Sequence, residues 1–282
     1  MEESWYVELL LVRVVLTAVI VALTSTVQIR CGPRATGWLL GLPLTSLPFL
    51  LLVGLQQGPW IARSTAAGII VGQTTVVACC AAYAYVARKR RWPAATAVAA
   101  GVAVVASGTM VALHAPLWVV VPLLGLVLAG ALALWPRAPR QAGSAADPAR
   151  GWVRDVLVRT GAATACVVVA TSVSGPFGPH VAGALVTFPT VNLVLAAFTQ
   201  RSMGSVASVQ LIESMLAGMW CGGTFVFVVA ATAGPLGILS ACGVALVAAA
   251  IARALSRPLT RALPRVAPAA WLRGRLRQRA DA

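Results

Sequence analysis

Gly32-Pro33-Arg34-Ala35-Thr36-Gly37-Trp38-Leu39-Leu40-Gly41-Leu42-Pro43 is answered 146 residues later by Gly178-Pro179-His180-Val181-Ala182-Gly183-Ala184-Leu185-Val186-Thr187-Phe188-Pro189, with Gly32, Pro33, Gly37 and Pro43 each matched in kind. Outward from this core the register holds. Leu11-Val12-Arg13 falls on Leu157-Val158-Arg159, Gly58 on Gly204 and Gly72 on Gly218. Between positions 11 and 72 there are 13 identities in 62 positions, many of them Gly and Pro. Those residues set backbone geometry rather than fill space. A repeat of this kind in an apolar chain is the mark of secondary-transporter folds, in which two halves enclose a site near the bilayer midplane.

The chain has 282 residues, 59% of them hydrophobic and 10% charged. Ordinary soluble domains carry about 25% charged residues, so the composition points to a polytopic membrane protein. Because lipid offers backbone N–H and C=O groups no partner, each span must be a helix of about 20 apolar residues. The fold expected is all-α, with nine spans at 6–29, 37–56, 60–87, 93–113, 116–135, 153–174, 180–200, 204–232 and 235–255. Residues 1–135 then hold a first repeat plus one extra helix, and 136–152 a cytoplasmic linker. Residues 153–255 hold the second repeat and 256–282 a basic tail.

Charge sets the orientation. Arg30, Arg34, Arg88-Lys89-Arg90-Arg91, Arg137, Arg140, Arg150, Arg154, Arg201 and the Arg-rich tail all fall on one side, with Arg63 the lone dissenter. The positive-inside rule places that side in the cytoplasm, with the N-terminus outside and the C-terminus inside. Span one then enters from outside and its counterpart, span six, from inside, so the repeats are inverted. The formal net charge of +15 needs no nucleic acid. Anionic lipid at the cytoplasmic face accounts for the tail, where Arg253, Arg257, Arg261 and Arg265 recur and Pro258, Pro264 and Pro268 are expected to prevent one long helix. The acidic start, Met1-Glu2-Glu3-Ser4, is not that of a cleaved signal peptide. Arg outnumbers Lys 21 to one in a chain rich in Ala and Val, a composition typical of high-GC bacteria, and a multi-pass protein of the bacterial inner membrane is expected. A homo-oligomer remains open.

Spans two and seven are expected to be discontinuous. Leu42-Pro43-Leu44-Thr45-Ser46-Leu47-Pro48 puts two prolines inside a segment that must cross the bilayer, and each deletes a helix hydrogen bond. Ser or Thr two residues before Pro is also a helix-start pattern, with the hydroxyl capping free N–H groups. Thr187-Phe188-Pro189 repeats it. Local matching pairs Ser46 with Thr187, whereas the overall register pairs Ser46 with Asn192. Either way a half-helix start points free N–H groups inward, toward an anionic group.

Polar residues at depth complete the candidate site. Glu213 is the one acidic residue far inside an apolar run, and a proton-carrying role and a structural hydrogen bond are both open to it. Gln73 and Asn192 lie at similar depth, so the substrate-binding set is Ser46, Thr45, Thr187, Asn192, Gln73 and Glu213. Arg13 and Arg159 match across the repeat as anion or lipid contacts, by symmetric guanidinium binding or by snorkelling to opposite surfaces. No cofactor or metal is expected. The six Cys residues show no C-x-x-C spacing, and His114 and His180 have no ligand-like partners. An enzyme is not expected either: no Ser-His, paired-Asp or His-Glu-x-x-His arrangement occurs.

Ala182-Gly183-Ala184-Leu185-Val186-Thr187-Phe188-Pro189-Thr190, with the later Gly218-Met219-Trp220, resembles the GlpM-like small bacterial membrane proteins. The likeness covers about 40 residues of the second half. It implies a fused, inverted duplication of such a unit and a place among envelope or exopolysaccharide accessory proteins, with no catalytic residues to carry over. Two functions are therefore expected to compete. One is a transporter of a small polar or anionic solute by alternating access; the other is a non-transporting scaffold for polysaccharide or lipid export.

Overall fold

The computed structural model describes residues 2–113, 117–133, 135, 156–165 and 189–262; the linker 136–152, positions 180–188 of span seven with Thr187, and the tail beyond Ala262 lie outside the described residues. All described elements are helices: α1 Glu2–Cys31, α2 Pro33–Leu40, α3 Ser46–Gln56, α4 Pro59–Ala87, α5 Trp92–Leu113, α6 Leu117–Ala133, α7 at 156–165, α8 Thr190–Leu236 and α9 Ile238–Ala262. Four stretches are long and apolar enough to cross a membrane: Pro59–Ala87, Trp92–Met110, Thr190–Leu236 and Ile238–Leu255.

Four glycines turn the corners. Gly32, Gly58, Gly204 and Gly237 have φ of 82, 94, 88 and 77° with ψ near 180°, a region open in practice only to glycine. Each lets one helix stop and the next begin at a single residue. At Gly32 and Gly58 the following Pro fills the first helical position, where no N–H is needed. Gly204 bends α8 into a first arm, 190–203, and a second arm, 205–236. Gly58 and Gly204 thus share one backbone conformation at positions 146 residues apart.

Span two begins at Pro33 rather than 37 and is broken at 41–45. The last apolar stretch ends at Leu255, as expected, while its helix continues through Pro258 to Ala262. Pro258 deletes one donor, which leaves the rest of the helix ladder intact.

The second arm of α8 is the axis of the bundle. Gly37 of α2 faces Leu211 and Ser214, and Gly41 faces Met215 and Gly218, so α2 runs parallel to it. Trp60 of α4 meets Gly234 while Gln73 meets Gly222 and Gly223, so α4 runs antiparallel. α9 returns along the same arm after Gly237. Around it close Leu50, Ile70, Tyr83, Leu211, Ile212, Met215, Leu216 and Phe225, all fully buried. α5 contributes a flat face of Ala95, Ala99 and Ala103, and α6 the stripe Val120, Leu124, Leu128 and Leu132. A smaller cluster of Val21, Ala163 and Leu195 joins α1, α7 and the first arm of α8.

Candidate functional site

The break in span two follows from its two prolines. Pro48 has no N–H, so the carbonyl of Leu44 cannot receive the usual helix bond. The chain turns instead through short local bonds. The Leu42 amide donates to Leu39 O (3.1 Å), Leu44 to Leu42 O (2.8 Å) and Leu47 to Pro43 O (3.0 Å). The hydroxyl cap expected of Ser46 is not made: the N-cap of α3 is Thr45, and it forms no side-chain cap bond. Thr45 already has right-handed helical angles (φ −91°, ψ −41°), and the Phe49 amide reaches Thr45 O at 3.3 Å. The first turn of α3 is therefore served largely by backbone carbonyls.

Glycine-to-glycine packing places this break against the opposite half of the chain. A Cβ at Gly41 would lie 2.5 Å from Gly218 Cα and 2.7 Å from Met215 O, and one at Gly222 would lie 2.9 Å from Gly41 O. Gly37-x-x-x-Gly41 and Gly218-x-x-x-Gly222 are matched small-residue pairs, which let two backbones approach without side chains between them. Gln73 reaches this point from α4. A Cβ at Gly223 would lie 3.4 Å from Gln73 Oε1, and that oxygen is buried without a hydrogen-bond partner among the described residues. A buried amide in that condition is costly and calls for a donor from water or a solute.

The structure therefore brings Gln73 and the break together, but not the whole expected set. Thr45 is exposed and Ser46 half-buried at the start of α3, and Asn192 is half-buried in the first turn of α8. Glu213 is half-buried on the second arm, nine residues and so roughly 13 Å along the helix axis from Gly222. Its neighbour Ser214 donates to Gln210 O and Leu211 O, both at 2.9 Å. Thr187 and the side chain of Arg13 lie outside the described residues.

Comparison with family models, with curated proteins and with solved structures returns no match to this chain. The arrangement of its own side chains is what bears on function.

Arg159 does not reach for a surface. It is 3% exposed, donates to Gln28 Oε1 (2.6 Å) and Ser202 Oγ (3.3 Å), and lies 5.6 Å from the Phe198 ring. Gln28 Nε2 in turn donates to Thr199 Oγ1 at 2.6 Å. On the other flank of the same turn Tyr83 donates to Gln200 Oε1 (2.7 Å). The Gln200 amide nitrogen donates to Ala87 O (3.2 Å) and Arg90 O (3.0 Å). These contacts gather the ends of α1, α4 and the first arm of α8 with the start of α7, and with them the basic residues Arg30, Arg34, Arg88–Arg91 and Arg201. Gln28, Tyr83, Thr199 and Gln200 were not among the expected site residues. Their one sequence signal is a polar side chain near the same end of three apolar runs.

Arg159→Leu leaves the Gln28 carbonyl oxygen without that donor in a buried place. The expected loss is about 1–3 kcal/mol, read as a lower unfolding temperature of the purified protein in detergent. An unchanged melting curve would show that the cluster adds nothing to stability.

Proposed function

We propose that the chain is a multi-pass membrane transporter that moves a small polar or anionic solute by alternating access between two inverted repeats. In this reading nine spans cross the bilayer, with the N-terminus outside and the basic end cytoplasmic. The observation that carries it is the interrupted backbone at 41–45, packed glycine-to-glycine on α8 beside the buried amide of Gln73. Irregular backbone at membrane depth is tolerated only where protein or a water-filled cavity covers it, and discontinuous helices at a repeat interface are where transporters bind their cargo. The shared conformation of Gly58 and Gly204 supports the duplication, and the gathering of basic helix ends at one end of the bundle supports the orientation.

The helix termini favour a polar solute held by side chains over one held by α3 alone. Two of the first amides of α3 are already bonded and Pro48 lacks one. That leaves Gln73 and Ser46 as the nearest polar side chains, with Asn192 and Glu213 supplying the second half of the site. The resemblance to GlpM-like proteins favours the competing reading of an envelope scaffold. Labelling of Ser46→Cys separates the two, in a background whose native cysteines have been replaced. A transporter exposes this position to a membrane-impermeant maleimide from both sides of sealed vesicles. Protection from both sides, with the protein folded, leaves the scaffold.

A further inference from the structure

Positions 146 residues apart make unlike contacts at the two ends of the bundle. At the basic end, residues 198–202 of α8 are Phe-Thr-Gln-Arg-Ser, and three of them hold three other helices through side-chain hydrogen bonds: Thr199 to α1, Gln200 to α4 and Ser202 to α7. Their counterparts on α3 are Val53, Gly54 and Gln56. Val53 is buried in the apolar core. Gly54 packs so closely on Ile238 of α9 that an added Cβ would lie 2.7 Å from Ile238 Cβ. One end is closed by a polar clasp and the other by hydrocarbon against bare backbone.

The two closures differ in what opening them costs. When a polar clasp at the end of a bundle parts, every released group regains a hydrogen bond from entering water. The net loss is then only a small part of each bond's own strength. Parting the Gly54–Ile238 contact exposes apolar surface and frees no polar group to be rehydrated. The Gly204 corner, with a backbone conformation open only to glycine, lies two residues past Ser202 and joins the clasped arm to the central one. Across this corner Ser208 Oγ of the central arm donates to Ala196 O of the clasped arm at 2.9 Å.

We propose that the turn at 198–202 is a gate: the basic end of the bundle opens by release of the Gln28–Thr199, Arg159–Ser202 and Tyr83–Gln200 contacts, with the Gly54–Ile238 end staying shut. The structure is the gate-closed state. This rests on the transport reading and says which end of the pathway moves first.

The test is a double variant, Gln28→Cys with Thr199→Cys, in the cysteine-replaced background carrying Ser46→Cys. The gate pair is joined by copper-phenanthroline oxidation before reconstitution, which leaves the lone thiol at position 46 free. The bridge is later removed with a reductant, and labelling is read on the peptide that carries position 46. Impermeant maleimide is then applied from the basic side. Bridging should slow labelling at position 46 from that side at least tenfold, and reduction should restore it. Labelling at the same rate before and after bridging overturns the gate while keeping the transport reading. No labelling from either side, bridged or not, overturns the transport reading and the gate with it. The Ser46→Cys protein without the gate pair, taken through the same treatment, should label at an unchanged rate throughout; slowing there as well overturns the gate.

Discussion

Gly41→Leu is expected to yield no monodisperse protein, and Gly41→Ala to unfold well below the parent. The atoms that the new Cβ would meet are Gly218 Cα at 2.5 Å, the Gly218 carbonyl carbon at 2.6 Å and Met215 O at 2.7 Å. All three are backbone atoms of the central helix, so no rotamer change relieves them. Overpacking of this kind costs typically 1–3 kcal/mol even where side chains can shift. Here α2 would have to move away from α8 as a body, taking the broken backbone off Gln73. Gly243→Ala on α9 is the matched control, because that glycine is exposed and a Cβ there meets nothing within 4 Å. Thermal unfolding in detergent reads both. A Gly41→Ala protein as stable as the Gly243→Ala one would mean that α2 and α8 do not depend on this contact.

Glu213→Gln is expected to abolish solute movement in reconstituted vesicles while leaving the fold intact. The carboxyl is half-buried on the central arm, and an ionisable side chain in a membrane helix is by default a functional group. The amide keeps the shape and the hydrogen-bonding capacity but cannot carry a proton or a charge. Glu213→Asp should retain part of the flux. Flux through Glu213→Gln equal to that of the parent would assign the residue to packing alone.

The distance between Glu213 and Gln73 makes these two experiments independent. Gln73 belongs to the level of Gly41 and Gly222, whereas Glu213 stands near the level of Gly37 and Ser214. The expected site residues therefore split into a central group at the break and a carboxyl lying toward the basic end. A solute moving between the break and the gate at 198–202 would pass the level of Glu213. Under the transport proposal, that placement would put the carboxyl on the path of the solute.

Much of the architecture was legible in the chain. Uninterrupted apolar runs of helical length mark spans in lipid because no other structure there satisfies the backbone. The helices observed follow those runs, with ends shifted by a few residues. The break at 41–45 was legible because proline carries its constraint in its own covalent structure. Gly58 and Gly204 were legible as matched positions, though not their common backbone conformation. Other features resisted. The hydroxyl of Ser46 looked like a cap, yet the N-cap fell at Thr45 and backbone carbonyls took the amides first, a competition that sequence spacing does not decide. Arg159 looked free to snorkel, but Gln28, 131 residues away, and Ser202 hold its guanidinium inside. The polar clasp was invisible for the same reason: a glutamine in an apolar run gives no sign of which distant hydroxyl it will meet.

By itself, then, the order of residues determined an all-helical chain, where that chain turns, and where it cannot continue as a regular helix. Those are short-range consequences of hydropathy, of missing amide hydrogens and of missing side chains. Only the tertiary structure decided that Gly41 lies on Gly218, that Gln73 lies against Gly222 and Gly223, and that one end of the bundle is fastened by hydrogen bonds and the other by hydrocarbon. Such pairings depend on how whole helices stack, and in an apolar surrounding stacking is governed by shape and by scarce polar contacts between segments far apart in the chain.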